Sequence, residues 1–225
     1  MRKWICLAVL ALVLCAGVSA QGFGLKSGAG AKIYADFKPV VGAWAEYLMT
    51  AKGEDPVTMR LAIVGKEGES YWYEMVMAMG EEGNMVTKML VSGNPQDPQN
   101  VTRMIIKAGD EPAMEMPVTG MAPPPTTGEK DVPKQPEGKL IDKGVEIIVV
   151  PAGTFKASHI QYTQEDTVVD SWVTADIGPY GMVKTTSKDV EMVLTAHGTD
   201  AKTLITETPT KFEMPKMPFG MPKGR

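Results

Sequence analysis

Short runs rich in aromatic and β-branched residues follow one another closely between residues 42 and 93. The turn signals GEDP (53–56), EGE (67–69) and EEG (81–83) separate these runs. Connections of this length join the antiparallel strands of hairpins, so the pattern predicts an antiparallel meander. The four runs that form it are residues 42–52, 57–66, 70–80 and 84–93.

Strand signals resume after a break in the middle of the chain. The run 101–109 is too short to distinguish a strand from a helix. Residues 110–139 hold seven prolines, which predicts an extended surface loop. We therefore predict an all-β, single-domain protein: one curved antiparallel sheet or half-open barrel of about ten strands, with this Pro-rich loop inserted. The later strand signals are residues 145–150, 154–163, 167–176, 181–187, 189–198 and 203–208.

The first twenty residues have the pattern of an export signal. Arg2 and Lys3 precede an apolar run that ends in small residues, and the run is too short for a stable membrane anchor. We therefore predict a location in the periplasm or cell envelope. A lipoprotein of the outer membrane is the less favoured alternative, because Leu14 stands before Cys15 where a lipobox has a small residue.

The composition excludes several classes of site. Cys6 and Cys15 both lie in the predicted signal, so the exported part has no thiol for a disulfide, a nucleophile or a metal. The formal charge of −4 becomes −6 without Arg2 and Lys3, and the charges are interspersed, which excludes a nucleic-acid partner. No catalytic or nucleotide-binding motif occurs. We expect a protein that is not an enzyme and uses no cofactor.

The two ends of the exported chain differ in composition from its middle. Residues 21–41 form a Gly-rich lead, of which we expect only 33–41 to pack on the β-rich domain, residues 42–208. Residues 209–225 combine four prolines with three methionines and predict a disordered tail that pairs with no sheet.

Three methionines alternate with other residues in the stretch YWYEMVMAMG (71–80). Because successive strand side chains point to opposite faces, alternate residues of neighbouring strands share one face. The pattern thus predicts a methionine-lined concavity, and we take its residues as the candidate ligand-binding site. They are Met59, Leu61, Tyr71, Tyr73, Met75, Met77, Met79, Met85 and Met89.

Three interpretations of this methionine-rich face stay open. An apolar inner face is what any antiparallel sheet needs, so ordinary core is one. An adaptable surface for apolar ligands is the second. Copper(I) bound by thioethers is the third, and the groups 114–121 and 214–221 add methionines to it. The histidines His159 and His197 lie in separate strand signals and are expected to be satisfied strand residues rather than ligands.

Three segments resemble bacterial exported domains of unknown function: VGAWAEY (41–47), VVPAGTFKASHI (149–160) and DSWVTADIGPYGMVK (170–184). Those families are similar in turn to the LolA/LppX-like fold. The resemblance covers most of residues 40–208 and implies a half-open antiparallel barrel whose apolar concave side holds lipid or acyl chains. LolA/LppX-like proteins cover that side with helices, whereas this chain has no amphipathic helix pattern. Either residues 110–139 act as the lid, or the cavity is filled and binds nothing.

The function that these observations favour is non-catalytic binding of a lipid, an acyl chain or a lipoprotein in the cell envelope. The alternative is a structural or interaction protein with a filled core, in which residues 110–139 dock an envelope protein partner. Methionine-based Cu(I) binding is the second alternative.

Overall fold

The described residues form one open, curved sheet of twelve strands, of which only the last strand runs parallel to its neighbour. The computed structural model describes residues 35–78, 80, 83–118 and 138–212. These ranges contain no α-helix, and they offer no helical segment with the length and apolarity needed to cross a membrane. The all-β fold predicted from the sequence is confirmed.

The elements are β1 (Trp44–Ala51), β2 (Val57–Glu67), β3 (Ser70–Ala78), β4 (Asn84–Val91), a 3₁₀ turn (Pro98–Asn100), β5 (Val101–Ala108), β6 (Met114–Met116), β7 (Lys139–Val150), β8 (Gly153–Gln164), β9 (Thr167–Val173), β10 (Met182–Thr186), β11 (Val190–Gly198) and β12 (Thr210–Lys211).

Two meanders, β1–β6 and β7–β11, meet in the middle of the sheet. The strand order is β12-β6-β5-β4-β3-β2-β1-β11-β10-β9-β8-β7, so the first strand of one meander pairs with the last strand of the other. Trp44 lies opposite Gly198, and a bulge at Glu46/Tyr47 shifts the register within this pairing. Strands β7 and β12 are the two edges, which lie at opposite ends of the sheet.

Four segments differ from the sequence-based boundaries. Met114–Met116 is a strand inside the predicted Pro-rich loop, and β7 begins at Lys139 rather than at residue 145. Residues 203–208, predicted as a strand, pair with no strand, whereas Thr210–Lys211 in the predicted tail pairs with β6. The predicted signal, the lead up to residue 34, most of the Pro-rich loop (119–137) and the tail from 213 lie outside the described residues.

Residues 199–209, which we call the C-terminal strap, cross the outer face of the sheet from β1 to β6. The N–H of Ala201 donates to the Gly42 carbonyl at 2.9 Å. Farther along, the N–H of Leu204 donates to the Glu74 carboxylate at 3.1 Å, so this run bonds to a side chain instead of to a strand. Ile205 is buried with apolar residues of β3–β5. The strap therefore closes the outer face of the first meander.

The main core lies on the inner face. Tyr47, Ile63 and Leu194 are fully buried there. The Tyr47 hydroxyl donates to the Met182 carbonyl at 3.1 Å, and burial raises the pKa of this phenol. The β7–β8 hairpin overhangs the end of β9 and reaches β11, where the N–H of Ala152 donates to the Leu194 carbonyl at 3.2 Å.

The residues that carry the family resemblance have structural roles. Gly42 has a φ of +91°, and a Cβ there would lie 2.2 Å from the Thr199 carbonyl oxygen, so only glycine fits. The Trp44 indole N–H donates to the Asp200 carboxylate at 2.8 Å and lowers the pKa of that carboxyl. These contacts hold the start of β1 against the start of the strap.

Candidate functional site: a methionine-lined face

Strand register places the predicted methionines side by side on the inner face. Met59 on β2 lies opposite Met77 on β3, which lies opposite Met85 on β4. We call the inward residues that lie opposite one another on neighbouring strands a row. Met75 lies on the same face, one row from the Met59–Met77–Met85 row, and Met89 lies two rows from it. The alternation read from the sequence thus corresponds to one continuous patch, which we call the methionine face.

The structure adds methionines to this face that the sequence interpretation left out. Met89 lies opposite Met104 on β5, which lies opposite Met116 on β6, and Met114 follows in the neighbouring row. On the other side, Met49 on β1 shares the face with Met59. The run that holds Met104 was too short to show its period, and Met114 and Met116 lay in a predicted loop. The alternation M-x-M at 114–116 was the signal that could have found them.

One end of the face is filled by aromatic side chains from outside the sheet. The Tyr73 ring lies 6.2 Å from Phe37 and 6.3 Å from Tyr180, both in edge-to-face geometry. Burial raises the pKa of Tyr73, and its hydrogen bond with Tyr180 partly offsets that rise. Leu61 is buried in the same cluster. Two of the predicted site residues, Leu61 and Tyr73, therefore belong to a closed core.

The other end of the face is more open. Met59, Met75, Met77 and Met85 are all partly exposed. Met89, directly opposite Tyr73, and Tyr71, the next inward residue beyond Tyr73, belong to the aromatic end and are also partly exposed. The Lys66 ammonium lies 5.4 Å from the Tyr71 ring centre. Met79, the ninth predicted residue, lies outside the described residues.

Two clefts among the described residues lie away from the methionine face. A cleft of about 200 Å³ separates the lead from the β9–β10 loop, with Trp44 and Pro179 in its wall. A shallower one of about 350 Å³ lies beside Val145 and Val173. Neither cleft is lined by a residue of the predicted site.

Both histidines make contacts within the protein. His159 places Nδ1 3.1 Å from the Glu146 carboxylate and Nε2 2.7 Å from the Asp170 carboxylate, and its ring stacks on Trp172 at 4.4 Å. His197 meets the Phe155 ring edge-on at 5.7 Å. Among the described residues, no three His, Asp or Glu side chains converge on a point where a metal ion could sit.

Two solved structures are similar to this chain at low sequence identity. No family model and no curated protein matches it. A solved structure from Bacteroides fragilis, described as an exported protein with a YmcC-like fold, is similar with a TM-score of 0.36 and 12% identity, over 73% of this chain and 99% of that one. The assignment to LolA/LppX-like proteins stays a prediction. A second similar structure, from Parabacteroides distasonis and described as a lipoprotein, has a TM-score of 0.34, 12% identity and the same coverage of both chains.

Proposed function

We propose that this protein binds the acyl chain of a lipid or lipoprotein on its methionine face, without catalysing a reaction. The observation that supports the proposal is the row Met59, Met77 and Met85, which stays partly exposed although the neighbouring end of the same face is packed with aromatic rings. A sheet that needed only a core could have closed this end in the same way.

Methionine suits an apolar ligand of variable shape. Its side chain is unbranched and its sulfur is polarizable, so a row of methionines can adjust to a flexible chain. Each CH₂ group removed from water contributes about 0.8 kcal/mol. Because Met59, Met77 and Met85 are already partly covered by the protein, we expect a bound chain to bury only part of its own surface. We therefore expect a binder that accepts and releases its ligand readily, with little preference for chain length.

A fluorescent fatty acid such as cis-parinaric acid provides the test. We expect wild-type protein to bind it and Met77→Glu to bind at least about tenfold more weakly, because a charge would enter the apolar row. Thr58→Glu is the matched control, since Thr58 is next to Met59 but on the opposite face of β2, and we expect its affinity to be unchanged. Native mass spectrometry of protein purified from the envelope then asks whether an apolar molecule co-purifies. The proposal fails if none does and the two variants bind the probe equally.

Copper(I) is the alternative that the same row favours, because three thioethers lie on adjacent strands. Replacing Met59, Met77 and Met85 together by Leu removes the sulfur atoms while keeping the apolar area. An acyl-chain site would keep its affinity for the fluorescent fatty acid in this variant. A copper site would lose Cu(I) affinity in an anaerobic titration, and that result would favour the metal.

A further experiment distinguishes docking of a protein partner by the Pro-rich segment from acyl-chain binding and from Cu(I) binding. Since Met114–Met116 and Lys139 belong to strands, only residues 119–137 should be replaced, by a Gly/Ser linker of equal length. Loss of fatty-acid binding in this variant would assign the segment to the ligand site. Retention of the ligand with loss of an envelope partner would support docking instead.

A further inference from the structure

The edge strand β7 has one side without a neighbour among the described residues. It pairs with β8 and ends the strand order of the sheet. A two-residue turn joins Val150 to Gly153, which makes these two residues a hydrogen-bonded pair. In the alternation that follows, Val145, Ile147 and Val149 direct their N–H and C=O groups away from β8 and toward the free edge.

The same three residues also expose their side chains. Val145 is 59%, Ile147 66% and Val149 75% exposed, and all three lie on one face of the strand. Val150, on the other face, is buried in the main core. Proteins commonly protect a free sheet edge with charge, proline or a bulge. Between residues 144 and 150, the only charged side chain is Glu146, on the opposite face, where it contacts His159 and the Trp172 indole.

We propose that β7 pairs with β7 of a second copy of this chain, antiparallel, about a two-fold axis beside Ile147. In this register Ile147 lies opposite its own counterpart, and Val145 lies opposite Val149 of the second copy. These pairs, three in all, are hydrogen-bonded pairs, because the residues direct both backbone groups outward. The exposed side chains of both copies then form one apolar cluster, and the sheets of the two copies become continuous.

The second copy is favoured because the strand is complementary to itself. Antiparallel pairing about a two-fold axis requires a segment that matches its own reverse. The pattern Val-x-Ile-x-Val at 145–149 reads the same in both directions. Glu146 lies opposite Ile148 of the second copy, so the register places no like charges directly opposite one another. An edge-to-edge contact buries less than the roughly 1,200 Å² of a stable interface, so we expect a reversible dimer with a dissociation constant on the order of 10–100 µM.

Sedimentation equilibrium of the chain from Gln21 onward tests the proposal. We expect the weight-average mass to rise toward that of a dimer with concentration, and Ile147→Lys to weaken the association at least about tenfold. Val168→Lys is the matched control, because Val168 is an exposed strand residue (42%) away from this edge, and it should dimerise as wild type does. A wild-type protein that stays monomeric up to about 1 mM, or a control that weakens association equally, overturns the proposal.

A single cysteine reports the register directly. The chain from Gln21 onward has no cysteine, so Ile147→Cys introduces the only thiol. Its counterpart would lie with Cα atoms about 5.5 Å apart, within the range of a disulfide, and oxidation should give a covalent dimer. Val168→Cys should stay monomeric under the same conditions. If hydrogen exchange shows the amides of Val145, Ile147 and Val149 protected to the same extent at all concentrations in a monomer, then the chain covers its own edge and the proposal is wrong.

Discussion

The carboxylate of Glu74 and the backbone N–H of Leu204 form a hydrogen bond of 3.1 Å between residues 130 positions apart in the chain. The Thr203 hydroxyl donates to the same carboxylate at 2.5 Å. Glu74 is fully buried on the outer face of β3, opposite Lys88 on β4, whose pKa is lowered by burial and raised in part by Glu74. One buried acidic side chain thus accepts the hydrogen bonds that fasten the C-terminal strap to the sheet.

Replacing Glu74 by Ala should therefore destabilise the protein strongly. The Thr203 hydroxyl and the Leu204 N–H would both lose the acceptor that the buried Glu74 carboxylate supplies in this part-buried site, and we expect a loss of about 2–4 kcal/mol in the free energy of unfolding. Urea denaturation measures this change. Glu69→Ala serves as the control, because the Glu69 side chain is fully exposed in the β2–β3 turn, and should change stability by less than about 0.5 kcal/mol. Equal effects of the two substitutions would show that the strap does not depend on Glu74.

Gly42 and Gly53 form a matched pair for testing the joint between β1 and the strap. Both have positive φ values, +91° and +83°, so alanine is strained at either position. A Cβ at Gly42 would also lie 2.2 Å from the Thr199 oxygen, whereas one at Gly53 would meet nothing within 4 Å. We expect Gly53→Ala to cost about 1–2 kcal/mol and Gly42→Ala about 3–4 kcal/mol. Similar melting temperatures for the two variants would contradict the close approach.

Two truncations separate the paired part of the C-terminus from the rest. The N–H of Thr210 donates to Ala113 and the N–H of Phe212 to Glu115, both at 2.9 Å. A chain that ends at Phe212 should keep the stability of the full chain measured by thermal melting. A chain that ends at Thr208 loses both bonds and should be less stable by about 1–3 kcal/mol. If the chain ending at Thr208 melts with the full-length protein, β12 contributes nothing to the fold.

The ion pair between Lys107 and Glu207 makes the strap sensitive to acid. The hydrogen bond from Lys107 holds the pKa of Glu207 at about 2, below its ordinary value of 4.5. Because the folded pKa is the lower one, the pair stabilises the fold above about pH 4.5 and loses that effect as the pH falls toward about 2. We expect Glu207→Gln to melt slightly below wild type at neutral pH, by a few degrees at most for so exposed a group. This difference should shrink between pH 4.5 and 2; a constant difference would rule out the ion pair.

The sequence was sufficient for local features of this fold. Alternation in residues 71–80 correctly placed Met75 and Met77 on one face, because the side-chain period of a strand does not depend on tertiary contacts. The turns around 53–56, 67–69 and 151–152 likewise follow from local residue types.

Features that depend on distant segments were not predictable in the same way. Nothing near Glu74 in the chain indicates that its carboxylate accepts a hydrogen bond from Leu204. Residues 203–208 were therefore predicted as a strand, although they form an irregular strap that bonds to this side chain. The aromatic filling of the methionine face was also not predictable, since Phe37, in the lead, and Tyr180, in the β9–β10 loop, are both distant from Tyr73 in the chain. Their contacts made Tyr73 and Leu61 core residues, while the methionines beyond them stayed partly exposed.

The pairing of β1 with β11 has a kinetic consequence. Each meander consists of hairpins, which form quickly because their contacts are local. The strands that join the meanders, β1 and β11, are far apart in sequence, so their pairing requires the slow closure of a long loop. Until they do, both strands expose free edges that could pair with another chain. Substitutions in β1 or β11 should therefore slow folding and promote aggregation of the incompletely folded chain. Substitutions in the strap, which can dock only onto a finished sheet, should chiefly accelerate unfolding.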